Sequence, residues 1–394
     1  MKFLFDYIYY HVISLAQRKN SEIFNLLLER KDLTIGTNAF WKSDSLKEIT
    51  IPSFITSIGT HAFLECSSLT KITIPSSVTR IENYAFDQCK LLKDIVIPSS
   101  VNSIGMGCFR DCSSLTEITI PSSITDIPWD CFNHCTSLRH VNLPPTLKSI
   151  QRAAFRCCYS LERIVIPPSM NEIDDCVFGY CTSLVEIEIP SSITSIGPYS
   201  FQCCKKLKSI NLPSSIVTLC IGCFDLCESL TQIIIPNSIT SIPDNAFFGC
   251  DSLTTVMIPQ SVTLIGASAF NQCFKIKAIT IPNSVLSIGE RCFYRCKALT
   301  EITLPMMLTK IKKETFSGCS KLKQIILPQL LQSIDHHAFA ECSSLQQVFV
   351  PMSLGSIGHN CFAKCKSLKS IVIPHYVHKI GKNAFPEWCV VNKR

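Results

Sequence analysis

The chain has 394 residues, of which 46% are hydrophobic and 17% charged, and its formal net charge is +7. This amount of apolar material is sufficient for a large core, so wholesale disorder, a collagen-like repeat and a solvated charged linker are excluded. The 24 Cys leave open a disulfide scaffold, a metal protein or a set of small buried thiols.

Residues 1–34 lie outside the periodic part of the chain, and we predict that they form a helical cap over the first repeat. An apolar run begins at Phe3 but is interrupted by Asp6 and His11, so it is too short and too aromatic for a membrane span. Ser21 precedes a second apolar stretch as a candidate N-cap. A targeting segment is the alternative, but neither an uninterrupted apolar core nor a small-residue cleavage site is visible.

A period of 23 residues dominates the rest of the sequence. It is carried by Phe40, Phe63, Phe86, Phe109, Phe132, Phe155, Phe178, Phe201, Phe224, Phe247, Phe270, Phe293, Phe316, Phe339, Phe362 and Phe385. Proline stands twelve residues after the Phe of every full repeat, and Cys stands three residues after it in fourteen repeats. One repeat unit is therefore read about fifteen times between residues 35 and 385.

The repeat predicts an α/β solenoid of short parallel strands. In L-x-x-I-x-I, apolar and polar residues alternate up to a proline, which is typical of a half-buried strand. One repeat cannot bury its apolar face alone, so successive repeats stack one strand each, about 4.8 Å apart, on a concave face. The segment A-F-x-x-C-x-x-L predicts a short helical turn on the convex face. At this spacing the Phe rings form a stacked spine.

The repeat resembles a known family. The leucine-rich repeat pattern is carried, for example, by Leu69, Ile72, Ile74, Ser77 and Val78, with Ser where most members place Asn or Cys. The full unit, as at Ile265 to Cys273, is similar to the BspA-like (Treponema-type) leucine-rich repeats over about residues 35–390. The resemblance implies a solenoid from a family that includes bacterial surface proteins binding host matrix proteins. It transfers no binding residue, because variable positions recognise the ligands of the family.

Residues 386–394 form a C-terminal tail in this interpretation. Trp388 replaces the Cys of the repeat, Val391 replaces its Leu, and no further strand is expected. The strand near Ser370 to Ile373 is therefore predicted to have an open edge, and self-association through this C-terminal edge is a hypothesis.

The positions of the cysteines favour buried, reduced thiols. Stacked parallel side chains do not bring Cβ atoms to the roughly 3.5–4.5 Å of a disulfide, and small thiols behave as hydrophobic side chains in a core. Cys108 with Cys112, and four similar pairs, have a spacing that resembles metal ligands, but each pair flanks a Phe of the spine. Cys157 and Cys203 stand next to Cys of the repeat, on the expected outer surface, and are the candidates for reactive thiols.

No catalytic or metal site is predicted. His336 and His359 should stack on adjacent coils with His337 beside them, but Lys313 and Lys382 flank the group, which disfavours a bound cation. The sequence has no G-x-S-x-G, P-loop, G-x-G-x-x-G or H-E-x-x-H motif, and its carboxylates are scattered. The predictions are therefore no enzyme, no cofactor and no metal.

The strand positions that vary between repeats predict where a partner binds. Eight and ten residues after the Phe, the first half of the chain is polar and partly acidic, whereas the second half carries large apolar residues ten after the Phe in five of its repeats. The candidate partner-binding residues, on or just beyond these strands, are Ile234, Met257, Met306, Ile326, Phe349, Met352, Val372 and Tyr376. An exposed strip of this composition is typical of an interaction site. The alternative is the general preference of Ile and Val for strands.

A row of basic residues stands seven residues after the Phe. Its members are Lys47, Lys93, Arg139, Lys208, Lys277, Lys323 and Lys369. The row either meets an acidic partner or keeps the margin of the sheet soluble. Nucleic-acid binding is not predicted, because the aromatic residues are committed to the spine.

Two classes of function remain. The leading one is a non-catalytic scaffold that presents a concave surface to a protein partner, and the alternative is a cell-surface adhesin or structural array that binds host or matrix proteins. Many reduced Cys and no visible signal peptide favour a cytoplasmic location, with the cell surface as the alternative.

Overall fold

The computed structural model of the chain describes residues 33–394, which divide after Ile187 into two compact units. Both units are built from 23-residue coils. Positions within a coil are counted from its spine Phe, so that position 10 is the tenth residue after that Phe. Almost all of the predicted cap, residues 1–34, lies outside the described residues.

Every coil from that of Phe40 to that of Phe362 contributes a strand of two residues after its proline, and all of them except the coil of Phe86 also contribute a strand of three or four residues before it. The coil of Phe86 has only an isolated parallel bridge there, between Asp94 and Lys71. The strands of the first unit are β1 (Thr34–Ile35), β2 (Glu48–Thr50), β3 (Ser57–Ile58), β4 (Lys71–Thr73), β5 (Arg80–Ile81), β6 (Ser103–Ile104), β7 (Glu117–Thr119), β8 (Asp126–Ile127), β9 (His140–Asn142), β10 (Ser149–Ile150), β11 (Arg163–Val165) and β12 (Glu172–Ile173). Strand β13 (Glu186–Glu188) contains the boundary between the units.

The second unit repeats this arrangement. Its strands are β14 (Ser195–Ile196), β15 (Ser209–Asn211), β16 (Thr218–Leu219), β17 (Gln232–Ile234), β18 (Ser241–Ile242), β19 (Thr255–Met257), β20 (Leu264–Ile265), β21 (Ala278–Thr280), β22 (Ser287–Ile288), β23 (Glu301–Thr303), β24 (Lys310–Ile311), β25 (Gln324–Ile326), β26 (Ser333–Ile334), β27 (Gln347–Phe349), β28 (Ser356–Ile357), β29 (Ser370–Ile373), β30 (Lys379–Ile380) and β31 (Val390–Lys393). The two-residue strands were not predicted from the sequence.

Equivalent strands pair in parallel with a shift of one period. In the first unit Ile49 of β2 lies opposite Ile72 of β4, and in the second unit Ile326 of β25 lies opposite Phe349 of β27. The central residue of each three-residue strand points inward, and the two flanking residues are exposed. The predicted parallel solenoid is therefore confirmed.

The predicted short helical turns are wrong, because no helix occurs between residues 33 and 394. Two residues before and two after the spine Phe, the backbone is left-handed, with φ between 52° and 77° from Asn38 to Asn383. In the coil of Phe63, the amide of Phe63 donates to the carbonyl of Ala85 in the next coil at 2.8 Å, whereas the amide of Leu64 donates locally to His61 at 3.1 Å. A helix would bond every amide within its own segment. Here alternate amides cross to the neighbouring coil instead.

The spine of stacked Phe rings is confirmed in both units. Ring centroids of successive coils lie 4.9–6.1 Å apart in the first unit. They lie 5.3–5.7 Å apart in the second unit, and the rings are nearly parallel. From Phe63 to Phe316 the side chains are fully buried, so they form the core of each unit.

Two ladders of side-chain hydrogen bonds join the coils beside this spine. The thiol of Cys66 donates to the carbonyl of Phe40 in the preceding coil at 3.0 Å, and the same contact recurs from coil to coil. Serine forms the second ladder: the hydroxyl of Ser77 donates to the carbonyl of Ile55 at 2.6 Å. The Cys position therefore supplies a hydrogen-bond donor as well as the small volume expected from the sequence.

The predicted open edge of the strand near Ser370 is wrong. Strand β31 pairs in parallel with β29, with Ser370 opposite Val390 and Ile373 opposite Lys393. The shift between these partners is 20 residues instead of 23. Self-association through the C-terminal edge stays a prediction, and it would now involve β31, which is exposed along its whole length.

Candidate functional site

The eight candidate partner-binding residues all lie at the surface of the second unit. Their side chains are between 41% and 66% exposed. Ile234, Met257, Ile326, Phe349 and Val372 occupy position 10, on the outward side of the strands. The remaining three, Met306, Met352 and Tyr376, follow the proline that ends the strand.

The structure brings five of these residues together into one continuous surface. Met306 and Ile326 line a depression of about 380 Å³. Ile326 also lines a second depression of about 480 Å³, together with Phe349, Met352 and Val372. We call these five residues, from Met306 to Val372, the apolar strip.

The other three candidates lie outside the apolar strip. Met257 lines a separate depression of about 530 Å³ and lies opposite Ile234 in the register of β17 and β19. Thr280 occupies position 10 in the coil between this pair and the apolar strip, and Thr303 occupies position 10 in the coil of Met306, where the strip begins. Tyr376 stands edge-on against His375, with ring centroids 5.2 Å apart.

Position 10 also holds exposed apolar residues in the first unit, but they are isolated. Val96 is 79% exposed and Val165 is 74% exposed. In adjacent coils the same position holds Thr73 and Thr119 around Val96, and Asn142 next to Val165. General β propensity is sufficient to explain single Val residues. It does not explain why several large apolar residues share two connected depressions in the second unit.

The candidate partner-binding residues chosen from the sequence do not include three residues beside the apolar strip. Met307 and Leu330 are exposed at position 14, where most coils carry the Ser of the serine ladder. The loss of that Ser was a signal that could have identified them. Arg394 lines the same depression as Phe349, and its guanidinium donates to the carbonyl of Val350 at 2.9 Å. Arg394 has no counterpart in the repeat, so the period gave no indication of it.

Basic residues alternate with the uncharged Thr300 and Gln346 along one margin of the exposed strand surface of the second unit. Lys277, Lys323 and Lys369 are exposed at position 7, one residue before the strands. None of them takes part in an ion pair with another described residue. Glu301 has the one acidic side chain among the described residues that line the three depressions.

The prediction that Cys157 and Cys203 are reactive surface thiols is wrong, because both are only 4% exposed. Adjacent coils of the first unit place the larger His134 and Tyr180 at the position of Cys157, so the small Cys lies below the surface they define. None of the 24 Cys forms a disulfide bond, and all but three are buried. Burial raises the pKa of Cys66 to about 11, which leaves little thiolate near neutral pH.

His336 and His359 stack on adjacent coils as expected, with ring centroids 4.9 Å apart. Nδ1 of His336 accepts the amide of His359 at 2.8 Å, and Nδ1 of His359 accepts the amide of Lys382 at 2.7 Å. Each ring therefore uses one nitrogen to join neighbouring coils. Between residues 33 and 394 no group of three or more His, Cys, Asp or Glu is arranged to hold a metal ion.

The comparisons with known proteins agree with the repeat and the fold. The family model for the BspA type leucine rich repeat region (6 copies) matches residues 33–162, 148–277 and 263–390. The chain belongs to this BspA-type leucine-rich repeat family. Proteins of the leucine-rich repeat family are generally scaffolds for protein binding or adhesion.

The fold of this BspA-type protein is similar to that of a solved leucine-rich repeat protein. A leucine-rich repeat protein from Bacteroides ovatus ATCC 8483 is 30% identical, with 92% of this chain and 87% of that chain covered and a TM-score of 0.73. A leucine rich cell surface protein from Faecalibacterium prausnitzii A2-165 is 27% identical, with 86% and 82% covered and a TM-score of 0.43. Among curated proteins, none matches the chain significantly.

The BspA-type chain also contains carboxyl groups with raised pKa, which could indicate chemistry. Burial raises the pKa of Asp87, Asp225 and Asp251, which belong to different coils. Asp87 is paired with Arg110, and Oδ2 of Asp225 accepts the side-chain amide of Gln202 at 2.8 Å. These contacts join neighbouring coils.

The described part of the chain contains no helix that could span a bilayer.

We expect Asp225→Asn to stabilise the protein by about 1 kcal/mol at neutral pH, because it removes a partly buried charge. Oδ1 of Asp225 is buried without a hydrogen-bond partner among the described residues, and Asn133 and Asn271 occupy the same position in other coils. Because the folded-state pKa of Asp225 is raised, stability falls as pH rises from the unfolded-state pKa of about 3.9 through the folded-state value. The gain in urea unfolding free energy should therefore vanish below about pH 4.

Asp126→Asn is the control of opposite sign. The hydroxyls of Ser149 and Thr125 each donate to the Asp126 carboxylate at 2.6 Å and lower its pKa. This group stabilises the fold above its unfolded-state pKa, and the contribution is lost as pH falls through the folded-state value. Asp126→Asn should therefore weaken the fold at neutral pH and not in acid. A gain at Asp225→Asn that persists in acid would contradict the assignment.

Proposed function

We propose that the protein is a non-catalytic scaffold that binds a protein partner through the exposed strand surface between Gln232 and Tyr376. The observation that carries the proposal is the apolar strip, in which five large apolar side chains at least 41% exposed share two connected depressions. Continuous exposed apolar surface with Met and aromatic residues is typical of protein interfaces. Ile234 and Met257 extend the proposed surface as a second, separate contact.

The composition of the apolar strip supports binding of a protein. Met306 and Met352 are flexible and can adapt to a partner, whereas Phe349 offers a rigid ring as an anchor. Gln324 and Gln347 lie in register next to these residues and provide uncharged hydrogen-bonding groups. The adhesin function predicted as an alternative would use the same surface, and the identity of the bound protein distinguishes the two.

We expect Ile326→Ser with Phe349→Ser to weaken partner binding at least tenfold, because truncation of an interface anchor typically costs more than about 1 kcal/mol. The experiment captures proteins from extracts of the source organism with the tagged full chain, and then measures the affinity of each purified partner by calorimetry. Both residues are outward-facing in their strands, so the substitutions should leave the thermal midpoint nearly unchanged.

The first unit provides a matched control, Val96→Ser with Val165→Ser. These residues have the same position in the coil and are more exposed, but they have no apolar neighbours at position 10. The control pair should bind the partner like the unmodified chain. Equal affinity of all three proteins for every captured partner would refute the proposed surface.

A further inference from the structure

We infer that the segment of the partner that occupies the apolar strip is an amphipathic helix with acidic residues along one flank. This inference rests on the proposed function and adds to it the chemistry and the secondary structure of the partner. Two observations carry it: the spacing of the apolar residues across the coils, and the unpaired basic residues along one margin.

The spacing of the coils fits a helix better than an extended chain. Ile326, Phe349 and Val372 occupy the same position in three successive coils, so they are about 4.8 Å apart along the sheet. A helix laid across the strands presents its apolar stripe once per turn of about 5.4 Å. An extended chain presents side chains on one face every 6.6–7 Å or so. The mismatch per coil is therefore about 0.6 Å for the helix and about 2 Å for the extended chain.

The basic residues at the margin indicate that one flank of the partner helix is acidic. Gln346 at position 7 lines the depression that contains Phe349, and Lys323 and Lys369 hold the same position one coil before and one coil after it. These two Lys are about 9.6 Å apart, which is close to the 10.5 Å or so between helix residues seven apart. Acidic residues at that spacing would face both Lys while the apolar stripe fills the depressions.

The same surface is a poor match for a polyanion such as a nucleic acid. Its centre consists of apolar side chains and uncharged Gln, and the one cation that lines it, Arg394, donates to the carbonyl of Val350. A phosphate backbone placed there would lose water and could contact only this single guanidinium. The other two basic residues of this surface, Lys323 and Lys369, lie at its margin. The observations therefore favour an acidic peptide over an oligonucleotide, and both can be tested against the same protein.

The test uses synthetic peptides and the full chain. The first probe is a fluorescein-labelled helix of about 18 residues, constrained by a side-chain bridge, with Leu at i, i+3, i+4 and i+7 and Glu along one flank. The second probe replaces each Glu by Lys, and the third scrambles the first sequence so that the apolar stripe is lost. A labelled thymine oligonucleotide is the fourth probe, and binding is measured by fluorescence anisotropy.

The acidic helix should bind at least tenfold more tightly than the basic helix and the scrambled peptide. Lys323→Glu with Lys369→Glu should weaken its binding at least tenfold and improve binding of the basic helix. Ile326→Ser with Phe349→Ser should weaken binding of both helices. The control is Lys47→Glu with Lys93→Glu, at the same position of the coil in the first unit, and it should leave the affinity for the acidic helix unchanged.

Each contrary result is separable from failure of the proposed function. Unchanged binding after charge reversal would refute the acidic flank, and equal binding of the scrambled peptide would refute the helix. Preference for the oligonucleotide would identify a polyanion site. Failure of the acidic helix to bind at concentrations up to about 1 mM would also refute the inference. In all of these cases, a natural partner that is lost with Ile326→Ser and Phe349→Ser would still support the proposed function.

Discussion

Phe201→Ala should lower the free energy of unfolding by about 3–5 kcal/mol. The side chain of Phe201 is fully buried, and its ring stacks on that of Phe224 with centroids 5.5 Å apart and planes within 5°. The carbonyl of Phe201 accepts the thiol of Cys227, and this contact survives the substitution. The loss therefore measures the ring alone, and an unchanged thermal midpoint would contradict its role in the core.

Phe385→Ala is the matched control from the same spine. Phe385 is only partly buried, and its stacking partner among the described residues is Phe362 at 5.6 Å. Its truncation should cost about 1–2 kcal/mol, because folding removes less of the apolar area of Phe385 from water than of the fully buried Phe201. Repeat proteins can unfold in parts, so urea unfolding should be followed by circular dichroism and by hydrogen exchange of the coils on each side.

The sequence predicted the spine and the strands because both depend on side chains that recur at a fixed period. It did not predict the left-handed backbone around each Phe, because that conformation depends on amides that bond to the next coil. The residues that adopt it include Tyr84, Arg291 and Glu314, which have φ of 54° to 55° and none of the usual preference of Gly for this region. Local patterns of apolar residues therefore suggested a helical turn that the stacking of coils does not allow.

Strand β31 was missed for a related reason. Its pairing with β29 has a shift of 20 residues, because the segment that returns to the sheet at Pro386 is shorter than in a regular coil. A search at 23 residues after Ser370 to Ile373 falls on or beyond Lys393 and finds no repeat of the strand pattern. The period identified the regular coils and, because it fixes the spacing at 23 residues, concealed the irregular pairing of β29 with β31.

For the candidate site, the sequence was sufficient to predict which side chains are exposed but not which of them form one surface. Exposure at position 10 follows from the alternation of the strand, and Ile326 and Phe349 obey it. Whether these exposed side chains form one continuous surface depends on how the depressions of neighbouring coils connect and on residues outside the repeat, such as Arg394. That information resides in the packing of neighbouring coils.

Arg110→Ala should destabilise the first unit by about 2–3 kcal/mol at neutral pH, because it leaves the Asp87 carboxylate buried without its partner. Asp87 is 2% exposed, and Arg110 donates to it from Nε at 3.0 Å and from Nη2 at 2.7 Å. The side chain of Arg110 is 36% exposed, so water screens the pair and the cost stays below that of a fully buried ion pair. Urea unfolding at several pH values measures the effect.

The sign of the pH dependence follows from Asp87. Burial raises its folded-state pKa more than Arg110 lowers it, and removal of Arg110 should raise this pKa further. The cost of Arg110→Ala should therefore be largest above the folded-state pKa and should shrink in acid, where Asp87 is protonated in both states. Asp87→Ser with Arg110→Ala is the control, because Ser317 and Ala340 hold the same positions in two successive coils of the second unit. This double variant should recover most of the stability that Arg110→Ala loses. If the double variant is destabilised as much as Arg110→Ala alone, the guanidinium of Arg110 acts through its packing on the ring of Tyr84, 5.3 Å away, and not through the Asp87 carboxylate.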